Sequence, residues 1–341
     1  MSAWARATRW VAGRSTLFMS LSVVVGLLAQ DLARALSPLV LFASMSAMFL
    51  TALRIDRLAL TAWLRRPFLP VAIIVFTTLL LPGLTVISLS AASIDPTTAL
   101  AIGLIIATPP IISVGAYCVF LGTDNELLTL SVLPATALGI VTLPVFAEWF
   151  GLPGLTPTRL AIDLLLVVGT AMGGAALIRM FVPLARVEQH AASLDFGAVV
   201  TMVVVAIGVT DGLSALIAAQ PGKVVEAFAV TALLSVVLQA LAWLVFARFG
   251  ARAAASVALV NGFRNMALLL GLLIGRVEAP LQLLLVAGQL QLFLLPVLMR
   301  PLYRRLGVHP AGERLNNAKP PEGEAPPGGT LSTSSRKDTF K

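Results

Sequence analysis

Two apolar segments are interrupted at matching places in the two halves of the 341-residue chain. The first, from about Thr97 to Thr123, carries Pro109-Pro110 near its middle. The second, from about Ala253 to Ile274, carries Asn261-Gly262 and then Arg264. Inside a bilayer, broken backbone survives only where protein or a water-filled cavity satisfies the freed N–H and C=O groups. Paired interruptions in two halves of a membrane chain point to a transporter's binding site.

The chain is 58% hydrophobic and 12% charged, with mean hydropathy +0.94. Soluble domains carry about 25% charged residues, so these values predict an all-α, multi-pass membrane protein. At about 20 residues per span, ten spans are expected. They lie near Ser15–Gln30, Ala35–Leu53, Pro67–Ser90, Thr97–Thr123, Leu127–Phe150, Thr158–Phe181, Phe196–Ile217, Val224–Phe249, Ala253–Ile274 and Leu281–Leu302. Five precede the connection Gly151–Pro157 and five follow it. Five is odd, so the second half enters the membrane inverted. The expected organisation is one transporter domain, 15–306, made of two inverted-topology five-helix repeats (about 15–150 and 158–306) whose fourth and ninth helices are broken and cross.

The net charge of +8 comes from cations clustered between spans, which are topology signals and not a nucleic-acid surface. Fourteen Arg fall on one side of the ten-span reading, against Arg34, Arg159, Lys223 and Arg276 on the other. Both termini (1–14 and the tail) are therefore expected in the cytoplasm, as for a bacterial inner-membrane protein. The Pro-, Gly- and Ser-rich stretch 307–341 reads as a disordered tail. Arg54–Arg66 (RIDRLALTAWLRR) reads as an amphipathic interfacial connection held by anionic lipid head groups, with Trp63 as its anchor.

The single cysteine, Cys118, excludes an intrachain disulfide and a thiolate cluster. His190 and His309 have no partner at ligand spacing, and no phosphate loop, Ser-His-Asp set or carboxylate-rich metal motif occurs. No enzyme activity, resident metal or cofactor is expected.

Arg264 is the sharpest single signal. It lies about ten residues from either end of its span, roughly 15 Å at helical rise, too deep to snorkel. A charge there costs about 2.5–3.5 kcal/mol and needs a cavity or an acidic partner; Asp163 and Asp211 are candidates. Pro109-Pro110 removes two backbone donors, and Ser113 and Gly115 follow as small residues. Asp124 is read as a cap of the fifth span, or alternatively as a gate partner for a cation. Thr129, Ser131 and Thr136 flank Pro134; such hydroxyls usually bond their own backbone. Gly169-xxx-Gly173 reads as close helix packing. Gln239, Gln289 and Gln291 are polar intramembrane candidates.

Three stretches together resemble the bile acid:sodium symporter family, within the bile/arsenite/riboflavin transporter superfamily. They are PLVLFASMSAMFLTALRIDRLALTAWLRRPFLPVAIIVFTTLLLP, AIGLIIATPPIISVGAYCVFLGTDNELLTLSVLPATALGIVTLP and SVALVNGFRNMALLLGLL. The resemblance extends over most of 15–305. It implies a panel of helices one, two, six and seven against a core of the other six, and organic anions moved with sodium. Several positions depart from the family's pattern. Thr77 stands where the family has Gln, Val114 and Gly115 where it has Ser-Asn, Val260 where it has Glu, and Arg264 where it has Gln, while Asn265 is kept. Hard cations need oxygen ligands, so these replacements count against sodium coupling and suggest that Arg264 takes the ion's place.

The expected site is thus Thr77, Ser113, Val114, Gly115, Thr129, Thr136, Val260, Asn261, Arg264 and Asn265, with breaks at Pro109, Pro110 and Gly262. The expected function is secondary transport of a small organic anion by alternating access, with membrane lipids as the other partners. An auxin-efflux-like or arsenite carrier, and a non-transporting sensor or scaffold, are the alternatives.

Overall fold

The computed structural model describes residues 15–55, 67–111, 117–118, 121–273 and 276–308. Seven helical stretches are long and apolar enough to cross a membrane: Gln30–Ala52, Phe68–Ala91, Leu127–Trp149, Pro157–Phe181, Ala191–Ala219, Pro221–Phe249 and Ala279–Arg305. The chain is therefore a multi-pass integral membrane protein. Among the described residues it has no strand; its β-type pairing is one isolated bridge.

Helix α1 (Ser15–Leu28) is followed by α2 (Gln30–Leu36), which passes through a 3-10 turn at Pro38 into α3 (Val40–Ala52). Then come α4 (Phe68–Val75), a π turn (Phe76–Leu80) and α5 (Leu81–Ala91) in one rod. Helix α6 (Pro96–Ala107) starts on an Asp95 cap and stops before Pro109. Helices α7 (Asn125–Trp149) and α8 (Pro157–Phe181) are joined through Gly151 and Gly154, both at positive φ. The second half runs α9 (Leu184–Gln189), α10 (Ala191–Gly208), α11 (Leu213–Ala219), α12 (Pro221–Phe246), α13 (Ala251–Gly262), α14 (Met266–Leu273) and α15 (Ala279–Arg305).

Packing divides the helices into two groups. Helix α10 lies on α1 and α3, and α8 lies on α3. The remaining long helices form a second body, in which α12 runs along α13 and α15, and α7 and α15 flank α6. The groups meet where α7 touches α8, α14 touches α3, and α15 touches α1.

Helix α15 ends with the N–H of Gly307 on the carbonyl of Arg304 and that of Val308 on Tyr303, a Schellman closure that uses Gly307 at φ 81°. Val308 is buried, so ordered chain reaches two residues into the stretch expected as tail. Residues 309–341 and 1–14 lie outside the described residues, as does most of the Arg54–Arg66 connection.

Close helix contact is not where the small-residue pattern put it. A Cβ at Gly173 would meet nothing within 4 Å, and one at Gly169 would meet only Leu165 of its own helix. The tight approach is instead α1 on α10, where a Cβ at Gly26 would lie 3.0 Å from the Ile207 Cα and 3.1 Å from its carbonyl oxygen. Backbone cannot yield there as a flexible side chain can. Gly26→Leu should destabilise the protein by about 1–3 kcal/mol, whereas Gly83→Leu, facing open space, should leave the melting temperature in detergent unchanged.

Candidate functional site

The site grows out of three interruptions of helical hydrogen bonding. The first is the π turn. Leu81 N–H reaches five residues back to the Phe76 carbonyl, so it does not serve Thr77. In the same register the donor for Thr77 would be residue 82, which is proline and has none. The Thr77 carbonyl is left without a helical partner. The second interruption is the end of α6. Pro109 disfavours helical backbone before it, and Thr108 turns extended, at φ −63° and ψ 134°. The third is the end of α13 at Gly262, after which Phe263 is extended at φ −117° and ψ 94°. Asn265 then starts α14, its Oδ1 accepting from Leu268 N–H at 3.2 Å as an N-cap.

The two extended pieces cross. Pro110 pairs with Arg264 in an antiparallel bridge. It is flanked by Ile111 N–H to the Phe263 carbonyl at 3.1 Å and Asn265 N–H to the Pro109 carbonyl at 2.9 Å. Pro110 sits at the non-hydrogen-bonded position of that pair, so its missing N–H costs nothing. The crossing is braced from both sides. Gly139 of α7 lets Pro109 approach, since a Cβ there would lie 2.9 Å from the Pro109 ring. Gly262 likewise lies against Gln239 of α12, 2.4 Å from a would-be Cβ, and Tyr303 Oη orients that amide by donating to its Oε1 at 2.9 Å. Asp124 N–H donates to Ser256 Oγ at 2.8 Å, tying the far end of the first break to α13.

Arg264 is 3% exposed and gathers the freed oxygens. Its Nε donates to the Asn261 carbonyl at 3.2 Å. Its Nη1 donates to the carbonyls of Thr77 at 3.4 Å and Thr108 at 3.3 Å. Its Nη2 donates to Asn261 Oδ1 at 3.1 Å, and Asn261 Nδ2 is anchored on the Val257 carbonyl at 2.8 Å. The guanidinium thus stands at the C-terminal ends of α6 and α13, where both helix dipoles are negative.

The acidic partners considered for it are engaged elsewhere. Asp163 pairs with Arg159 at 3.1 Å and Arg276 at 2.9 Å, and Asp211 pairs with Arg34 at 3.9 Å. Backbone oxygens and two helix ends carry the compensation instead. Asp124 caps α7, its Oδ1 accepting from Leu127 N–H at 3.1 Å.

The structure brings together Thr77, Asn261, Arg264 and Asn265, with Pro109, Pro110 and Gly262 at the breaks. Thr77 is buried and its Oγ1 has no partner, beside the carbonyl that holds the guanidinium. Asn265 Nδ2 reaches Met48 Sδ of α3 at 3.8 Å. Val260 is buried and brings no polar side-chain atom. Thr136 and Ser131 return their hydroxyls to the carbonyls of Val132 and Leu127, both at 2.8 Å. Thr129 is half-buried and is not a partner of Arg264. Ser113, Val114 and Gly115 lie outside the described residues.

Three contributors escaped sequence reasoning: the Thr108 carbonyl, the role of Pro82 in freeing Thr77, and the thioethers of Met19 and Met48. Met19 Sδ lies 3.7 Å from Tyr117 Oη, and the Tyr117 ring stacks on Phe263 at 5.5 Å. The one readable signal was the five-residue spacing of Thr77 and Pro82. Gln291 proves structural, bonded to the Phe228 carbonyl at 3.3 Å and to Ser235 and Thr231. Gln289 is wholly buried and neither amide atom has a partner.

No protein-family model matches the chain, and a search of curated proteins finds no match.

Replacing the guanidinium should loosen the crossing. Arg264→Ala should cost about 3 kcal/mol, since hydrogen bonds to a charged group contribute roughly 1.5–3 kcal/mol each. Arg264→Lys should recover little, because a point charge cannot serve Thr77, Thr108 and Asn261 together. Ethylguanidinium, and not ethylammonium, should restore part of the melting temperature of Arg264→Ala. An unchanged melting temperature in Arg264→Ala would remove the clamp from the account.

Proposed function

We propose that the protein is a secondary transporter that moves a small organic anion across a bacterial inner membrane by alternating access. The observation that carries this reading is the antiparallel crossing of two broken helices on a buried guanidinium. Broken helices crossing inside a membrane body supply backbone and charge for a polar cargo where unbroken helices offer neither.

Counting α1 and the two broken segments with the seven long helices gives ten spans, five on each side of Gly151–Pro157, in inverted repeats. The pairing of Pro110 with Arg264 runs antiparallel, as two segments of opposite membrane orientation require. The group of α1, α3, α8 and α10 then acts as the panel of a bile acid:sodium symporter-like carrier. The other long helices act as its core, and both termini face the cytoplasm. Soft contacts at the seam, Asn265 on Met48 and Tyr117 on Met19, suit two bodies that rock against each other, because thioethers repack at little cost.

Arg264 serves as a tethered cation. It occupies a cage of oxygens of the kind that would otherwise coordinate a small hard ion, so transport needs no sodium. Its charge has no carboxylate partner among the described residues, and that favours an anionic cargo. Thr77 Oγ1 is the adjacent free hydroxyl.

The test is uptake into proteoliposomes and thermal stabilisation across a panel of organic anions, in sodium and in choline. At least one anion should stabilise the protein and be taken up equally in both salts. Strong sodium dependence would refute the tethered-cation reading. A folded protein that neither binds nor moves any anion would favour the scaffold alternative.

A further inference from the structure

A cavity of about 730 Å³ opens on the outer face of α4, lined by Pro67, Phe68, Leu69, Val71, Ala72 and Val75. Its described lining residues are all apolar. Phe68 is 69% exposed, and Val71 and Val75 are also open, so the groove faces out of the helix body. Phe68 and Val75 are seven helical steps apart, so the groove descends roughly 10 Å into the membrane from the start of the helix.

The mouth of the groove is cationic. The Phe68 ring lies 6.3 Å from Phe249, and the Arg248 guanidinium lies 4.9 Å over the Phe249 ring. Arg248 is exposed and pairs with no carboxylate among the described residues. An apolar channel with guanidinium at its shallow end fits one kind of molecule: a negative head group joined to a hydrocarbon chain.

We propose that this groove is a binding site for one anionic phospholipid, its phosphate on Arg248 and one acyl chain along Phe68, Val71 and Val75. The site is separate from the crossing of the broken helices and does not depend on what that crossing does.

The experiment is native mass spectrometry and thermal shift on the purified full chain, titrated with phosphatidylglycerol or phosphatidylcholine of identical acyl chains. Phosphatidylglycerol should be retained at one copy and raise the melting temperature more. Arg248→Ala should weaken its binding about fivefold, the ~1 kcal/mol expected of one basic residue at an anionic surface. Arg248→Lys should restore most of that, and Arg186→Ala, an exposed arginine elsewhere, should change nothing. Val71→Trp should fill the groove and displace the retained lipid. Equal retention of the two lipids by the unaltered protein would overturn the proposal, as would equal losses in Arg248→Ala and Arg186→Ala. A dimer abolished by Val71→Trp, with no lipid preference, would overturn it in favour of a second copy.

Discussion

Three backbone carbonyls and one guanidinium, which among the described residues have no helical partner and no carboxylate, satisfy each other inside the bilayer. Each is a liability alone. An unmet polar group in hydrocarbon costs several kcal/mol, and a charge at mid-span costs about 2.5–3.5 kcal/mol even on lenient scales. Arg264 meets the carbonyls of Thr77, Thr108 and Asn261 with one planar fork. Lysine has no such reach, and no neutral side chain has enough donors. The arrangement also explains why three separate elements break where they do. The π turn at Phe76–Leu80, the end of α6 and the end of α13 each deliver one backbone oxygen to the same group.

Rigidity and softness are distributed around that clamp. On the side of the larger helix body the crossing is held by contacts that leave no room. Gly139 admits the Pro109 ring, Gly262 presses on Gln239, and Tyr303 fixes that amide. A side chain at Gly139 would collide with the Pro109 ring, and one at Gly262 with the Gln239 side chain. On the side of α1 and α3 the polar tips of Tyr117 and Asn265 meet the sulfurs of Met19 and Met48. Sulfur is a weak acceptor with a broad angular tolerance, so these contacts break at small cost. A body that moves as a unit against a neighbour needs this asymmetry, firm bonding within it and weak bonding across the seam.

Much of this was legible from residues whose chemistry is unconditional. Proline always lacks its donor, so Pro109-Pro110 announced a break, and the depth of Arg264 announced a paired or cavity-facing charge. The partner was misjudged because sequence displays side chains and hides backbone acceptors. Asp163 and Asp211 looked eligible, whereas the acceptors were backbone carbonyls, freed by Pro82 at the π turn and by the ends of α6 and α13. Gly169 and Gly173 failed for a related reason: a small residue permits close approach, but only a partner helix on that face produces it. Span counting is hardest where helices break. Helix α6 has 12 residues, α13 has 12 and α14 has 8, so each half crosses only part of the bilayer and none reaches full-span length.

A cation joined to the chain behaves differently from one bound from solution. A dissociable ion stabilises the state that binds it by RT ln(1 + [L]/Kd) and so ties that state to the ion's concentration on each side of the membrane. Arg264 is present at every salt concentration and on neither side in particular. It can hold Thr77, Thr108 and Asn261 together, but no gradient can act through it. Under the transport reading, the free energy for uphill movement must then enter through the cargo or a co-transported species. Among the described residues, the Thr77 hydroxyl and the Gln289 amide are buried polar groups without a hydrogen-bond partner.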